Sequence, residues 1–238
     1  MNREFSRMFE NAENALRTEF NQWAAAGRGD SMEQGHAPVG VQAIAQMGLL
    51  SDSTVLDLGC GNGWACRAMA QTVTAGEVVG IDVSDEMIRH SQAASKSFSN
   101  IRYVISGASK LPFEDSRFSG AFSMESIYYY PEPPLAVREV HRVLKPGGVF
   151  CAVVDLFKEN EPTRFWIDKL NVPVHFLGRE DYKKLFESVG FENVVTELLA
   201  DPSPISADIS NAWFKSREDY LRYREVGSLL IMGYRGHA

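Results

Sequence analysis

The sequence predicts an α/β protein with a Rossmann-like, doubly wound and mostly parallel sheet of seven strands, carrying helical cap elements. Three observations predict it. From residue 53 onward, short apolar strands alternate with helices, the pattern of βαβ units. The strands read as apolar runs, as in Val78–Val83 and Val149–Val154, which suits a sheet covered on both faces. A buried strand at Thr54–Leu58 runs directly into three glycines and a helix, and ligands of open parallel sheets bind at such carboxyl ends.

Each element has its own local pattern. Phe5, Met8, Phe9, Ala12, Leu16, Phe20 and Trp23 recur at three- and four-residue steps, so residues 3–26 form a helix with one apolar stripe, stopped by Gly27 and Gly29. Asp30 or Ser31 can cap the next segment, and residues 38–48 form a second apolar helix. Strands are expected at Thr54–Leu58, Val78–Val83, Ile101–Ile105, Gly120–Ser123 with its flanks, Val149–Val154, Phe191–Leu198 and Ser228–Tyr234. Helices are expected at Gly63–Thr72, Asp85–Ser95 opened by Ser84, Pro134–Leu144 ended by Pro146-Gly147-Gly148, Arg179–Val189 and Ser216–Val226, with a short one at Thr163–Leu170. Residues 1–48 are expected to form a helical cap. Residues 49–238 carry the sheet, with cap insertions at about 155–178 and 200–226.

Composition narrows the function. The 238 residues fit one large α/β domain with a sizeable core, and 45% hydrophobic with 23% charged residues is ordinary globular composition. A net charge of −7 argues against a protein that holds nucleic acid or an anionic membrane through basic contacts. Cys60, Cys66 and Cys151 form no CxxC pair and are expected to be reduced. No metal site is expected, because a zinc site needs four ligands and the histidines are scattered. The charged start of the chain shows no secretory signal and no run of 18 apolar residues occurs, so the expectation is a soluble cytoplasmic monomer or homodimer.

The segment Asp57-Leu58-Gly59-Cys60-Gly61-Asn62-Gly63-Trp64 carries the strongest signal. Glycines allow positive φ and let a ligand lie against bare backbone, while the helix N-terminus offers free N–H groups. The spacing is GxGxG, and Trp64 stands where a dinucleotide fingerprint has its third glycine. Val55–Gly63 resembles the first motif of class I S-adenosylmethionine-dependent methyltransferases, and Val79–Ser84 resembles their second. Leu111–Phe118 followed by Leu144–Gly148 is similar to their small-molecule, ubiquinone-type branch. The resemblance implies S-adenosylmethionine as cofactor and S-adenosylhomocysteine as product. It implies that Asp57 and the Gly59 backbone hold the methionine amino group, and that Cys60, Gly61, Asn62 and Gly63 form the turn the cofactor approaches. Asp82, 19 positions after Gly63, would accept from both ribose hydroxyls, with Val83 and Met87 on the adenine ring. The family's acid at the adenine edge is replaced by Gly107, leaving the Ala108 N–H and Ser109 for that contact.

A sulfonium methyl is already electrophilic, so such a site chiefly aligns the acceptor, excludes water and removes a proton where one must leave. Met124 and the residues after it follow the fourth strand, where the family lines both methionine and acceptor. Glu125 is the candidate base or cation-binding group, set against a surface carboxylate capping a turn. Tyr128 can face the sulfonium or donate a hydrogen bond. His36 is a candidate base, and His175, in the insertion after the fifth strand, a candidate acceptor contact; each is weighed against a structural or solvent-facing histidine. Trp166, Phe176, Trp213, Phe214, Tyr220 and Tyr223 can form an apolar acceptor pocket or simply pack the cap. Arg217, Arg222 and Arg224 alternate with acids and read as a solvated helix. The expected function is methyl transfer to a small molecule. The alternatives are a tRNA or protein methyltransferase, a nicotinamide enzyme opposed by the glycine spacing, and a non-catalytic cofactor-binding protein.

Overall fold

Successive β-branched and apolar residues build seven strands: β1 (Thr54–Leu58), β2 (Glu77–Asp82), β3 (Ile101–Ile105), β4 (Phe118–Met124), β5 (Leu144–Val154), β6 (Phe191–Leu199) and β7 (Ser228–Arg235). The computed structural model describes residues 3–206 and 213–237, with side chains from Met8 onward at the N-terminal end. The Phe5 side chain and residues 207–212 of the expected loop therefore lie outside the described residues. The strands form one sheet in the order β3-β2-β1-β4-β5-β7-β6, with β7 antiparallel to both its neighbours and the rest parallel. This is the doubly wound α/β architecture that the alternation of elements predicts.

Neighbouring residues of each central strand face opposite layers. Leu56 and Leu58 of β1 join the core with Val137, Val140, Phe150 and Phe186. Val55 faces the other layer, among Met69, Phe122 and Val153. Those layers are built from α3 (Trp64–Thr72), α4 (Asp85–Ala94), α5 (Pro133–Val143) and α7 (Arg179–Ser188). Ser84 caps α4 by accepting from the Met87 N–H, as its sequence position predicts.

Three boundaries and one side chain's exposure differ from expectation. β5 begins at Leu144 rather than Val149, because Leu144 pairs with Phe118 before the register shifts. The expected helix at Thr163–Leu170 is a 3₁₀ turn, Glu161–Thr163, followed by the single-turn α6 (Arg164–Ile167). Helix α1 (Arg3–Ala25) matches its stripe, but α2 (Arg28–Gln46) starts ten residues early, directly after Gly27, and carries Pro38 inside it. Gly29 and Gly35 make this stretch a poor helix by propensity. Tertiary contacts supply what propensity lacks: Gly29 packs on Asn62, and Glu33 accepts from Asn62 Nδ2 and Arg67, at 2.7 and 2.8 Å. Arg224, expected to be solvated, is nearly buried on α8 (Arg217–Val226). It donates to the carbonyls of Asp201 and Ser203 and to the Tyr220 hydroxyl.

The N-terminal helices lie over the carboxyl ends of the strands. Asn21 of α1 accepts from the Ser84 hydroxyl and donates to Asp85, which anchors α1 on the start of α4. Gly40 of α2 lies against the Trp64 indole, where a Cβ would stand 2.2 Å from the ring. Trp64 thus turns outward toward α2, with Phe122 edge-on at 6.5 Å. No helix among the described residues is long and apolar enough to cross a membrane.

Candidate functional site

One cavity of about 570 Å³ opens where β1, β2, β4 and β5 end, within the range of small-ligand sites. The glycine turn forms one wall, and its three glycines do different work. A Cβ at Gly59 would stand 2.5 Å from the Ser126 Cβ, and one at Gly63 would stand 2.3 Å from the Tyr103 hydroxyl. Both glycines let protein neighbours approach. Gly61, at φ +52°, would meet nothing within 4 Å and faces the cavity, so only here is the missing side chain left as open space.

Asp82 ends β2 beside that space. Its Oδ2 accepts from the Gly61 N–H at 2.9 Å and its Oδ1 from the Ser84 N–H at 2.8 Å, which leaves further lone pairs toward the cavity. Burial raises its carboxyl to about 6, against the lowering effect of the Ser84 and Gly61 N–H groups. Cys60, Asn62, Val83, Met87, Gly107, Ala108 and Met124 share the wall. At Gly107 the carboxylate of Glu13 occupies the place of a side chain, with Oε1 2.0 Å from where a Cβ would stand. Burial raises the Glu13 carboxyl above its usual range, and the Arg17 charge partly offsets this.

At the other end of the cavity, adjacent strands deliver two carboxylates. Glu125 follows β4 and Asp155 follows β5. The Asp155 N–H donates to Glu125 Oε1, and the Glu125 N–H to the Val153 carbonyl at 2.9 Å. The Tyr128 hydroxyl donates to Glu125 Oε2, and the Tyr223 hydroxyl to Asp155 Oδ2, each at 2.7 Å. Glu125 is one of three non-glycine residues at positive φ among the described residues, here +52°, a strained conformation of the kind that gathers at functional sites. His36 of α2 completes the group, and its ring nitrogen lies within 4.8 Å of both carboxylates. Burial, then the Asp155 charge, pushes the Glu125 carboxyl well above its usual range. Burial lowers His36, opposed by Asp155. Trp166, Trp213, Phe214, Tyr220 and Tyr223 form a contiguous aromatic wall, with ring centroids 5.0–6.0 Å apart.

Four expected site residues are not on this wall. Asp57 points to the Val55 face of the sheet, where its Oδ2 accepts from the Cys66 thiol at 3.1 Å. Burial there lifts its carboxyl to about 7. Gly63 packs on Tyr103, as above. The Ser109 Oγ is buried without a partner, away from the cavity. His175 acts through its backbone N–H, which donates to the Tyr128 carbonyl at 2.9 Å and braces that turn. Phe176 is half-buried and packs against the core rather than with the aromatic wall. Asp155 and Glu13 are among the wall residues that sequence reasoning misses. Asp155 stands at a strand end, a signal the sequence carries, whereas Glu13 lies on an unremarkable helical face and nothing local marks it. The expected absence of a metal site rests on scattered histidines, and the fold places one of them beside two acids. The three cysteines are buried and free, and burial pushes the Cys60 thiol to about 11 and Cys151 to about 12.

Comparison with known proteins agrees with this fold. A methyltransferase-domain family model matches residues 56–152. Demethylmenaquinone methyltransferase of Staphylococcus aureus (strain JH9) is 28% identical over 179 residues, 64% of this chain and 73% of that protein. The methyltransferase in a complex with the Haloferax volcanii Trm112 methyltransferase activator is 31% identical, with a TM-score of 0.85 over 92% of this chain and 98% of that one. A Haemonchus contortus phosphoethanolamine N-methyltransferase in complex with S-adenosyl-L-methionine shares the fold, at a TM-score of 0.66 and 18% identity, over 83% of this chain and 52% of that one. The fold and site define a class I S-adenosylmethionine-dependent methyltransferase, and the chain belongs to that family.

Proposed function

We propose that this methyltransferase acts on a small molecule held between the Glu125 end of the cavity and its aromatic wall. The observation that carries the reading is continuity. One cavity runs from the open space at Gly61, past Asp82, to Glu125, His36 and Tyr128. The unfilled cradle at Gly61 and the two-oxygen acceptor of Asp82 fit S-adenosylmethionine. Bound there, the cofactor supplies an electrophilic methyl group.

In this reading Asp82 accepts from the ribose hydroxyls, and Val83 and Met87 hold the adenine ring. The Ala108 N–H donates to the ring, and Glu13 supplies the carboxylate that Gly107 cannot. The turn backbone from Gly59 to Asn62 holds the methionine end, without direct contact from Asp57. Met124 separates the cofactor and acceptor halves. Glu125 or His36 takes the proton when the acceptor must lose one, and the Tyr128 hydroxyl orients Glu125 for it. Residues 1–48 and the segments near 155–178 and 200–226 act as the cap that keeps water from the acceptor. The three reduced thiols fit a cytoplasmic enzyme.

A second reading rests on the relative solved with the Trm112 activator. A chain that similar can share the need for a protein activator and take a tRNA or protein acceptor. One experiment separates the readings. Purified enzyme is incubated with methyl-labelled S-adenosylmethionine and a cell extract split by ultrafiltration. Label in the small-molecule fraction is expected. Label confined to RNA or protein, or appearing only with an added activator, would overturn the small-molecule reading.

A further inference from the structure

We infer that His36, Glu125 and Asp155 form a binding site for one divalent transition-metal ion, of the Zn²⁺ or Mn²⁺ type, at the acceptor end of the cavity. The three side chains offer one imidazole nitrogen and two carboxylate oxygens, all within 4.8 Å of one another. Neighbouring ligand atoms around such an ion stand about 3–3.5 Å apart at bond lengths of about 2.0–2.2 Å. Side-chain movements on the order of 1 Å bring these three onto that geometry. Three protein ligands beside an open cavity leave positions for water or substrate, as at catalytic rather than structural metal centres.

Two observations separate this trio from a chance meeting of acids. Asp155 is 2% exposed and lines the cavity, yet its Oδ1 has no hydrogen-bond partner. An unpartnered carboxylate oxygen at that depth is costly unless a ligand meets it. The second is the support behind the ligands. Each carboxylate has one oxygen held by a tyrosine hydroxyl, Tyr128 on Glu125 and Tyr223 on Asp155. Oriented carboxylates backed by hydrogen-bond donors are how proteins tune and hold a metal. The imidazole favours a transition ion over Mg²⁺ or Ca²⁺, which take all-oxygen shells. An ammonium group is the competing occupant, and the test separates the two.

Metal-stripped full-length protein is titrated calorimetrically with Zn²⁺ and Mn²⁺, and the metal retained after desalting is counted. One ion per chain is expected, with affinity reduced at least tenfold in Asp155→Asn and in His36→Gln. Tyr223→Phe keeps every ligand and is expected to weaken binding about 10-fold or more. Co²⁺ loaded into the wild-type chain gives a variant-independent check, since visible ligand-field bands and a paramagnetically shifted histidine resonance should appear. No binding of any of these ions at millimolar concentration would overturn the site. Binding that Asp155→Asn and His36→Gln leave unchanged, or capture of alkylammonium ions alone, would overturn it equally. S-adenosylhomocysteine binding, measured on the same samples without metal, reports separately on the cofactor half of the cavity.

Discussion

Replacing Gly61 with alanine tests the cofactor cradle at the one point where the structure leaves it empty. The Gly61 N–H survives the change, so the hydrogen bond to Asp82 is kept. The new Cβ meets no protein atom within 4 Å, so the direct cost is that of alanine at φ +52°. A left-handed alanine costs about 1–2 kcal/mol. For a chain of this size that lowers Tm by about 2–8 °C. Gly63→Ala is the contrast: its Cβ would stand 2.3 Å from the Tyr103 hydroxyl and 2.9 Å from the Ser91 Cβ. Overpacking adds about 1–3 kcal/mol, so its Tm falls by about 4–20 °C. Differential scanning fluorimetry and calorimetry with S-adenosylhomocysteine read both quantities. Gly61→Ala should bind at least tenfold more weakly, about 1.4 kcal/mol, while remaining folded. Wild-type affinity in a folded Gly61→Ala protein would refute the placement of the cofactor against this turn.

Three other residues give tests of the same geometry. Asp82→Ala removes the acceptor of the Gly61 and Ser84 N–H groups together with any ribose contact, and should weaken S-adenosylhomocysteine binding by about 100-fold, at roughly 1.5–3 kcal/mol per charged hydrogen bond; retention within threefold would defeat the ribose role. Glu13→Gln should narrow the preference for the adenine cofactor over its hypoxanthine analogue by about tenfold, measured as a ratio of affinities, and an unchanged ratio would remove Glu13 from the adenine edge. The Asp57 carboxyl sits at about 7 in the folded chain against an ordinary 3.8, so the folded state binds the extra proton. Its contribution to stability is full below about pH 4 and is lost as pH rises toward and through 7, by up to about 4 kcal/mol. Asp57→Asn should therefore flatten the fall in Tm between pH 5 and pH 8, and parallel curves for the two proteins would show that Asp57 does not titrate there.

How far the site is legible depends on whether its parts are neighbours in sequence. The glycine turn and Asp82 belong to one βαβ unit, so strand, turn and acid can be read together. Glu125 carries a signal because it follows a strand. Asp155 carries the same signal at the end of the next strand. The aromatic wall is half legible. Its residues stand out by type, but only the folded chain separates Trp166 and Tyr223, which line the cavity, from Phe176, which does not. Helix α2 is illegible over residues 28–37 because its glycines speak against a helix locally, and its support comes from Asn62, Trp64 and Arg67 of a distant segment.

The sequence by itself determined the sheet, its winding and the family, because apolar periodicity, glycine spacing and strand-end acids are short-range properties of the chain. It also placed Asp82 at the end of the second strand. Tertiary structure alone decided three things. It turned Asp57 under the sheet, because alternate residues of β1 face opposite layers and Asp57 shares its face with Val55. It laid Glu13 against Gly107, because α1 docks on α4 through Asn21 and Ser84. It gathered His36, Glu125 and Asp155, which stand far apart in sequence. Parallel pairing of β4 and β5 brings the two acids to one level, and the packing of Gly40 against Trp64 sets α2 above them.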